Sequence, residues 1–521
     1  MSIFGTGVFP LLAQVSVGFS HPGGRYEKPF ALSLSIFENA ESQEYVIRFT
    51  LNGSAPTAAS PRYVRPVPMS EKAYSRSELF KIQNAPDKHW YLPDNVEHIV
   101  VVRAAVFDKV GNRVSEVVTH SYVIESLLGR KIRMPIVSLC VDSTDLFDFQ
   151  NGIFVPGADF NPDKPKHTGN YYRSGRAAER RAHFEYIYNE KVVAQTCGLR
   201  PHGNISRRYA QKGLSLYARN EYGKKNFSGV WLESKDKRLV LRPFCSAWTP
   251  AGIQDYFCQQ MAAGLHFDAL ECKPVALFLN GEYWGIYYVE QKPDEKFVAK
   301  RYGFDPDSVR LVRDWAGHTG DGLDSGFVAM MRWLKTADLT DPKQYARVLE
   351  LIDVESFTDY VLFETFIGNR DWPANNMRCW SVEGSPWRFI FFDGDAVRTA
   401  YFDAVGNVLY DGDDITWPTS AESTLLLRKL LENKDFREKF RARLKDLRRE
   451  KFRWSAFSNI DVEMASLFGV CVSDVESEIA SQSARFGYPK SVRSWKRDVR
   501  RLRRYFRRRA RRIERQWKRV L

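Results

Sequence analysis

The sequence predicts an α+β protein built in three successive parts: a small β-sandwich, a body in which strands come first and helices follow, and a helical C-terminal extension. Three observations predict it. Short β-branched and aromatic runs separated by turn signals fill residues 16–124, a hairpin signal and helical patterns share 135–450, and apolar residues recur at helical spacing through 451–521. At 521 residues the chain exceeds one ordinary core, so two or three domains are expected.

The first part rests on four candidate strands, 30–36, 45–51, 99–107 and 116–124. Its segment Phe49-Thr-Leu-Asn-Gly-Ser-Ala-Pro-Thr57, followed by Tyr63, by 102–108 and by Ser121-Tyr122, resembles the sandwich module found beside chitobiase-type hydrolases. That resemblance implies a fibronectin-like accessory domain with no catalytic carboxylate. Residues 16–124 are therefore expected to fold independently, as a spacer or docking module.

After a basic connector at 128–134, strands are expected at 136–141, 183–188, 197–201 and 214–217. Ile253, Phe257, Met261 and Leu265 then recur at helical spacing, which predicts a helix over 251–264. The clearest local signal follows: apolar runs at 273–279 and 282–289 flank Asn280-Gly281, the dipeptide that tolerates the positive φ angles of a type I′ hairpin. A helix runs toward Arg301, another spans 354–367, and a second hairpin over 377–382 and 387–392 turns at Glu383-Gly384. Helices return at 423–451 and continue to the end.

Between the 354–367 helix and the second hairpin stands Gly368-Asn-Arg-Asp371-Trp-Pro-Ala-Asn-Asn376, and directly after the hairpin stands Asp393-Gly-Asp395. An Asp, an Asn five positions on, a hairpin, and then an Asp beside a Gly is the layout of a protein-kinase catalytic loop and metal-binding loop. Phosphoryl transfer requires it. A carboxylate must stand beside the acceptor hydroxyl, and oxygen ligands must hold the divalent ions that neutralise phosphate charge. In this reading Asp371 takes the acceptor hydroxyl, Asn376 and Asp393 hold metal, and Asp395 adds a further ligand. Lys212, opening a strand that precedes the 251–264 helix, is the candidate cation for the phosphates, with Arg207 as a second contact. The helix offers Asp255 or Gln259 as a partner for that lysine and no glutamate. No GxGxxG loop is present, and 203–206 stands in its place.

Taken together, Pro135-Ile-Val-Ser-Leu139 with 146–148 and 152–157, the stretch 203–212, Leu279-Asn-Gly-Glu-Tyr-Trp-Gly-Ile-Tyr287 with Glu290, and Asn369-Arg-Asp371 through Asp395 resemble the spore coat protein H (CotH) kinase family over roughly 135–510. The resemblance implies an atypical bilobal protein-kinase-like fold that uses ATP with Mg²⁺ or Mn²⁺. It implies transfer to Ser or Thr of coat-type or surface proteins, and to the enzyme itself, in a bacterial cell-surface, secreted or spore-coat setting. It matches Asp371 to the catalytic-loop Asp, Asp393 and Asp395 to the paired-Asp metal motif, and sets Glu290 with Lys212 and Arg207 in the nucleotide site. Phe392 stands where the family commonly has Trp, and Gly394 separates the two acids where an apolar residue is usual, so which Asp is the principal ligand stays open.

Composition narrows the classes. With 44% hydrophobic and 14% aromatic residues the chain is globular, and no apolar run approaches the roughly 18 residues of a membrane helix. The first twenty residues lack the basic start and long apolar core of an export signal, which leaves export open. Seven scattered cysteines without a CxxC argue for buried thiols rather than zinc or disulfides. From 490 to 519 there are sixteen Lys/Arg against Asp498 and Glu514, a net +14 that equals the charge of the whole chain. There Trp495, Val499, Leu502, Phe506, Ala510, Ile513, Trp517 and Val520 line one face of a long helix, which argues for docking on the body rather than for nucleic acid. Two other readings compete with the kinase: a metal-dependent glycosyltransferase that uses Asp393-Gly-Asp395 as a DxD motif for a nucleotide sugar, and a catalytically silent structural or adhesive coat protein. Oligomeric state stays open.

Overall fold

The computed structural model describes residues 15–37, 45–70, 77–230, 236–244, 251–397, 422–454, 463–518 and 521; Cys245 and Val520 lie outside them. They divide into two compact units, one from Met1–Leu232, Val275–Gly285 and Ala484–Phe486, the other from Glu233–Pro274, Ile286–Ser483 and Gly487–Leu521. No described helix is long and apolar enough to cross a membrane. The six described cysteines are buried and free.

The first unit begins with the sandwich. Strands Gly24–Tyr26, Val118–Ile124, Val100–Phe107 and Val46–Thr50 form one sheet in that order, and Ser16–Phe19 pairs with Leu34–Phe37 in a second. Alternate residues Val100, Val102, Ala104 and Val106 enter the core beside Leu32 and Tyr122, while Val101, Ala105 and Phe107 on the other face are buried too. A further antiparallel set follows, Ile136–Val141 with Arg180–Tyr188, then Lys191–His202, then Gly213–Tyr217. Asn280 and Gly281 both have positive φ (49° and 88°), as a type I′ turn demands, and the Asn280 amide exchanges two 2.8 Å hydrogen bonds with the Val141 backbone.

The sequence expects 16–124 to stand alone, yet in the structure buried polar groups join it to later strands of the same unit. Glu185 is fully buried and accepts from the Ser121 hydroxyl and, at 3.3 Å, from the Ser121 N–H. Glu282 accepts from the N–H groups of Leu79 and Phe80 at 2.6 and 2.9 Å. Arg25 donates to the carbonyls of Ile132 and Met134. A buried carboxylate keeps its charge tolerable only with such donors, so these contacts tie the sandwich to later strands of the first unit.

In the second unit the helix Val354–Ile367 runs through the core: every residue from Ser356 to Ile367 is buried. The long helix Val492–Trp517 packs its apolar face against it. Phe506 meets Phe257 at 4.8 Å, Trp495 Nε1 donates to Ala251 O at 2.9 Å, and Tyr505 and Arg509 donate to the carbonyls of Ile367 and Phe366. Each buried aromatic of this size removes roughly 150–250 Å² from water, on the order of 4–6 kcal/mol gross. The second hairpin is shorter than its pattern suggests, Cys379–Ser381 with Arg388–Phe389: Ile390 N still donates to Arg378 O at 3.0 Å, but Ile390 also bridges to Asp268 and Phe391 N donates to Asp268 O at 2.7 Å.

Candidate active site

Five stretches of the second unit supply the site: the strand Arg238–Pro243, the helix Gln254–Ala262, the second-unit part of the strand Glu282–Gln291, the loop after Val354–Ile367, and the turn after Arg388–Phe389. The central helix starts where Asp353 caps Ser356 N and stops at Gly368, whose φ of 65° suits glycine. A Cβ there would also lie 2.0 Å from the Tyr505 hydroxyl. The chain then turns into the loop that carries Asp371.

Asn369, fully buried, joins the two acidic loops. Its Oδ1 accepts from Asp371 N at 3.3 Å and its Nδ2 donates to Asp393 O at 3.4 Å. Within the loop, the side-chain amides of Asn375 and Asn376 donate to the two Asp371 oxygens, each at 3.4 Å. With its nitrogen directed at Asp371, Asn376 keeps Oδ1 as the atom able to bind a cation. Asn376 and Asp393 both adopt left-handed backbone, φ 55° and 62°, a strained choice for non-glycine residues that is concentrated at functional loops.

Asp393 and Asp395 meet a cation from the neighbouring strand. Arg242 Nη2 lies 2.5 Å from Asp393 Oδ1 and 2.7 Å from Asp395 Oδ2, while Nη1 lies 3.7 Å from Asp255 and 3.9 Å from Glu290. The strand register explains the last contact: Val240 pairs with Glu290 and Arg242 with Tyr288, so Arg242 and Glu290 are diagonal neighbours on one face. Asp255 also accepts from Gly394 N at 2.6 Å, which ties the helix to the metal-loop turn.

Four carboxylates around one guanidinium leave a surplus of negative charge. Burial alone would lower the Arg242 pKa, but Asp393, Asp395, Asp255 and Glu290 hold it well above the ordinary value, so it stays charged. Burial, opposed by Arg242 and reinforced by Asp393 and Asp255, pushes Asp395 up to about 6. Burial likewise raises Glu290 well above the carboxylate range, and its Oε2 has no hydrogen-bond partner among the described residues. Burial, then the Asp393 charge, raises Asp371, the direction that makes a carboxylate a better base. Among the described residues no three His, Cys, Asp or Glu side chains are placed so that they alone could hold a metal ion. The donor set nevertheless suits a hard divalent ion that completes its shell with phosphate oxygens: it is all oxygen, over-charged, and includes the orphaned Glu290 Oε2.

Residues 199–513, more than half of the chain, match the family model described as CotH kinase protein. The chain belongs to the CotH kinase family. Residues 21–119 match the chitobiase/beta-hexosaminidase C-terminal domain, in agreement with the sandwich. No curated protein matches the chain.

In this CotH-family chain Asp371, Asn376, Asp393, Asp395 and Glu290 all lie in the second unit: the last three gather on Arg242, and the loop of the first two is linked to Asp393 through Asn369. Lys212 and Arg207 belong to the first. The Lys212 ammonium is fully buried, donates to Asn84 O at 2.7 Å and Tyr209 O at 2.8 Å, and sits 4.5 Å above the Tyr171 ring; burial drives its pKa well down. These contacts give the buried Lys212 amine a structural use within the first unit, in place of the role expected for it at the phosphates. Arg207 donates to Gly203 O at 2.6 Å and Tyr172 O at 3.4 Å. The cation beside the carboxylates is Arg242, which the sequence reading missed. Its signal was a lone Arg inside the apolar run Leu239-Val-Leu-Arg-Pro243, one strand before the helix that carries Asp255. Asn369 and Glu364 were missed too. Glu364, buried in the central helix beneath Asn369, is held well above the carboxylate range by burial, with Asn369 and Tyr360 opposing.

Proposed function

We propose that this CotH-family chain is a protein kinase, bilobal and kinase-like in architecture, that transfers the γ-phosphoryl group of ATP to Ser or Thr of coat-type or surface proteins, itself included. The observation that carries the reading is the Asn369 bridge between the Asp371 loop and the Asp393 turn, beside an over-charged set of oxygen donors gathered on Arg242. Asp393, Asp395 and Asn376, with Glu290, would hold Mg²⁺ or Mn²⁺, and a bound divalent ion supplies neutralisation of phosphate charge. Arg242 and Asp255, on successive elements, form the cation–carboxylate pair that orients the triphosphate side of the site. Asp371 orients the acceptor hydroxyl and receives its proton as the oxygen bonds to the γ-phosphorus and the bond to the β-phosphate oxygen breaks.

The roles separate in a calorimetric titration of Mg-ATP combined with a phosphorylation assay. Asp371→Asn keeps the loop's amide contacts and should bind Mg-ATP as the parent does while transfer falls by roughly 10²–10⁴. Asp393→Asn should lose metal-dependent nucleotide binding. Equal loss of binding in the two variants would sink the division of roles.

One contact favours a second reading. Because Arg242 itself spans Asp393 and Asp395, a silent coat protein in which the guanidinium takes the place of the metal is the alternative. Absence of any Mg-ATP or Mn-ATP binding by the parent chain would establish that reading, and binding of UDP-sugar in place of ATP would establish the glycosyltransferase.

A further inference from the structure

The helix Val492–Trp517 carries far more charge than its own packing uses. Eleven arginines between Arg493 and Arg515 are exposed, with Lys496 and Lys518 beside them. The acids of the helix are Asp498, 3.0 Å from Arg501, and Glu514, which pairs with Arg448 and with Lys518 at 3.2 Å. The opposite face is locked into the second unit by Trp495, Leu502, Phe506, Ile513 and Trp517, all buried. A rigid cationic ladder therefore runs for about 39 Å, at 1.5 Å per residue.

Resting on the kinase reading, we propose that this face docks a phosphorylated polypeptide, the multiply phosphorylated product or partly modified acceptor of the same enzyme. Four features select that occupant. Arginine dominates over lysine, and its planar fork grips phosphate oxygens through two hydrogen bonds. Turns of the helix repeat every 5.4 Å, close to the roughly 6.6–6.8 Å between alternate residues of an extended chain. Among its described residues the helix exposes no aromatic ring on which a single-stranded base could stack: Trp495, Phe506 and Trp517 are buried, Tyr505 is half-buried against Ile367 O, and the nearby half-buried Trp454 ring lies under Arg503. It offers no apolar residue for a bilayer either, since the apolar face already lies in the protein core.

The test is fluorescence anisotropy with the full chain and a labelled serine-rich peptide, unmodified or carrying phosphoserine at alternate positions. The expected result is binding of the phosphopeptide at least tenfold tighter than of the unmodified peptide, weakening steeply between about 50 and 200 mM salt. A variant with Arg500→Glu, Arg504→Glu and Arg507→Glu should lose at least tenfold, and the corresponding Gln variant should fall between. An unchanged melting temperature confirms that each is folded. Tighter binding of duplex DNA with equal phosphate number, or of phosphatidylserine vesicles, would overturn the proposal in favour of that polyanion. Phosphopeptide binding indifferent to charge reversal would overturn it outright. Because this readout requires no catalysis, a chain that fails here yet phosphorylates its acceptor refutes the docking face alone, and a chain that never uses ATP refutes the kinase reading.

Discussion

Two sets of buried ionisable groups, one in each unit, are held in opposite ways. In the first unit's set each group has its own local partners: Glu185 has Ser121, Glu282 has the N–H groups of Leu79 and Phe80, and Lys212 has the carbonyls of Asn84 and Tyr209. In the second unit's set four carboxylates share one guanidinium, and Glu290 Oε2 is left over among the described residues. Burial and a displaced pKa are common to both, so neither marks a site. The distinction is satisfaction: a group with matched local partners holds a fold together, whereas a cluster short of positive charge is where the proposed function puts its metal.

Truncation tests this most severely. A chain starting near Leu128 removes Ser121 from Glu185 and the N–H donors from Glu282, leaving two buried carboxylates without their partners. At about 3–5 kcal/mol each, the loss approaches the whole stability of an ordinary domain. The truncated chain should be insoluble or molten by near-UV circular dichroism. A folded, active truncation would restore the sandwich to the status of a detachable spacer.

Arg242→Gln comes next. Removing the shared cation strips the carboxylates of their counter-charge and should lower Mg-ATP affinity by two orders of magnitude or more, with a loss of roughly 3–5 kcal/mol in denaturant stability. Mn²⁺ should then raise the melting temperature of the variant more than that of the parent. Equal shifts in both would mean that the carboxylates do not gather a metal.

Lys212→Met should cost about 2–4 kcal/mol of stability by leaving the Asn84 and Tyr209 carbonyls short of a donor, and should leave ATP affinity within a factor of about two. Lower ATP affinity at unchanged melting temperature would return Lys212 to the nucleotide.

The smallest effect is pH-dependent. Burial, opposed by the Ser121 hydroxyl and N–H, raises Glu185 to about 7 in the fold from an ordinary 4.5. The folded state then holds more protons than the unfolded one between these values, so this contribution to stability is complete below pH 4.5 and is lost as pH rises through 7. The shift is worth about 3 kcal/mol. Its neighbour His120 lies 4.0 Å away and is lowered by burial, and His183, buried on the same strand and held down to about 3, acts in the opposite sense as pH falls below 6.5. Comparison of Glu185→Gln with the parent isolates the carboxylate: the stability difference should turn toward the variant across pH 5–7 and be flat above. A constant difference would show that Glu185 is ionised in the fold throughout.

What could be read in advance follows the range of each interaction. The Asn280-Gly281 hairpin and the spacing from Asp371 to Asn376 to Asp393 are local, and chain order alone reveals them. Arg242 could not be recognised, because its role depends on which face of a paired strand it shares with Glu290. Lys212 looked like a phosphate ligand because its partner Asn84 lies 128 positions away. The sandwich looked independent for the same reason: Ser121 meets Glu185, and Leu79 meets Glu282, only after the chain has folded back.

Asn369 has one more consequence. Through one buried amide the Asp371 loop and the Asp393 turn are fastened to the same side chain, and Gly394 N is fastened in turn to Asp255. Two acidic loops that share a clasp cannot part company, one swinging aside while the other keeps its post. On the proposed kinase reading, control then falls on supply, on how much metal, nucleotide and acceptor reach a site that stays assembled.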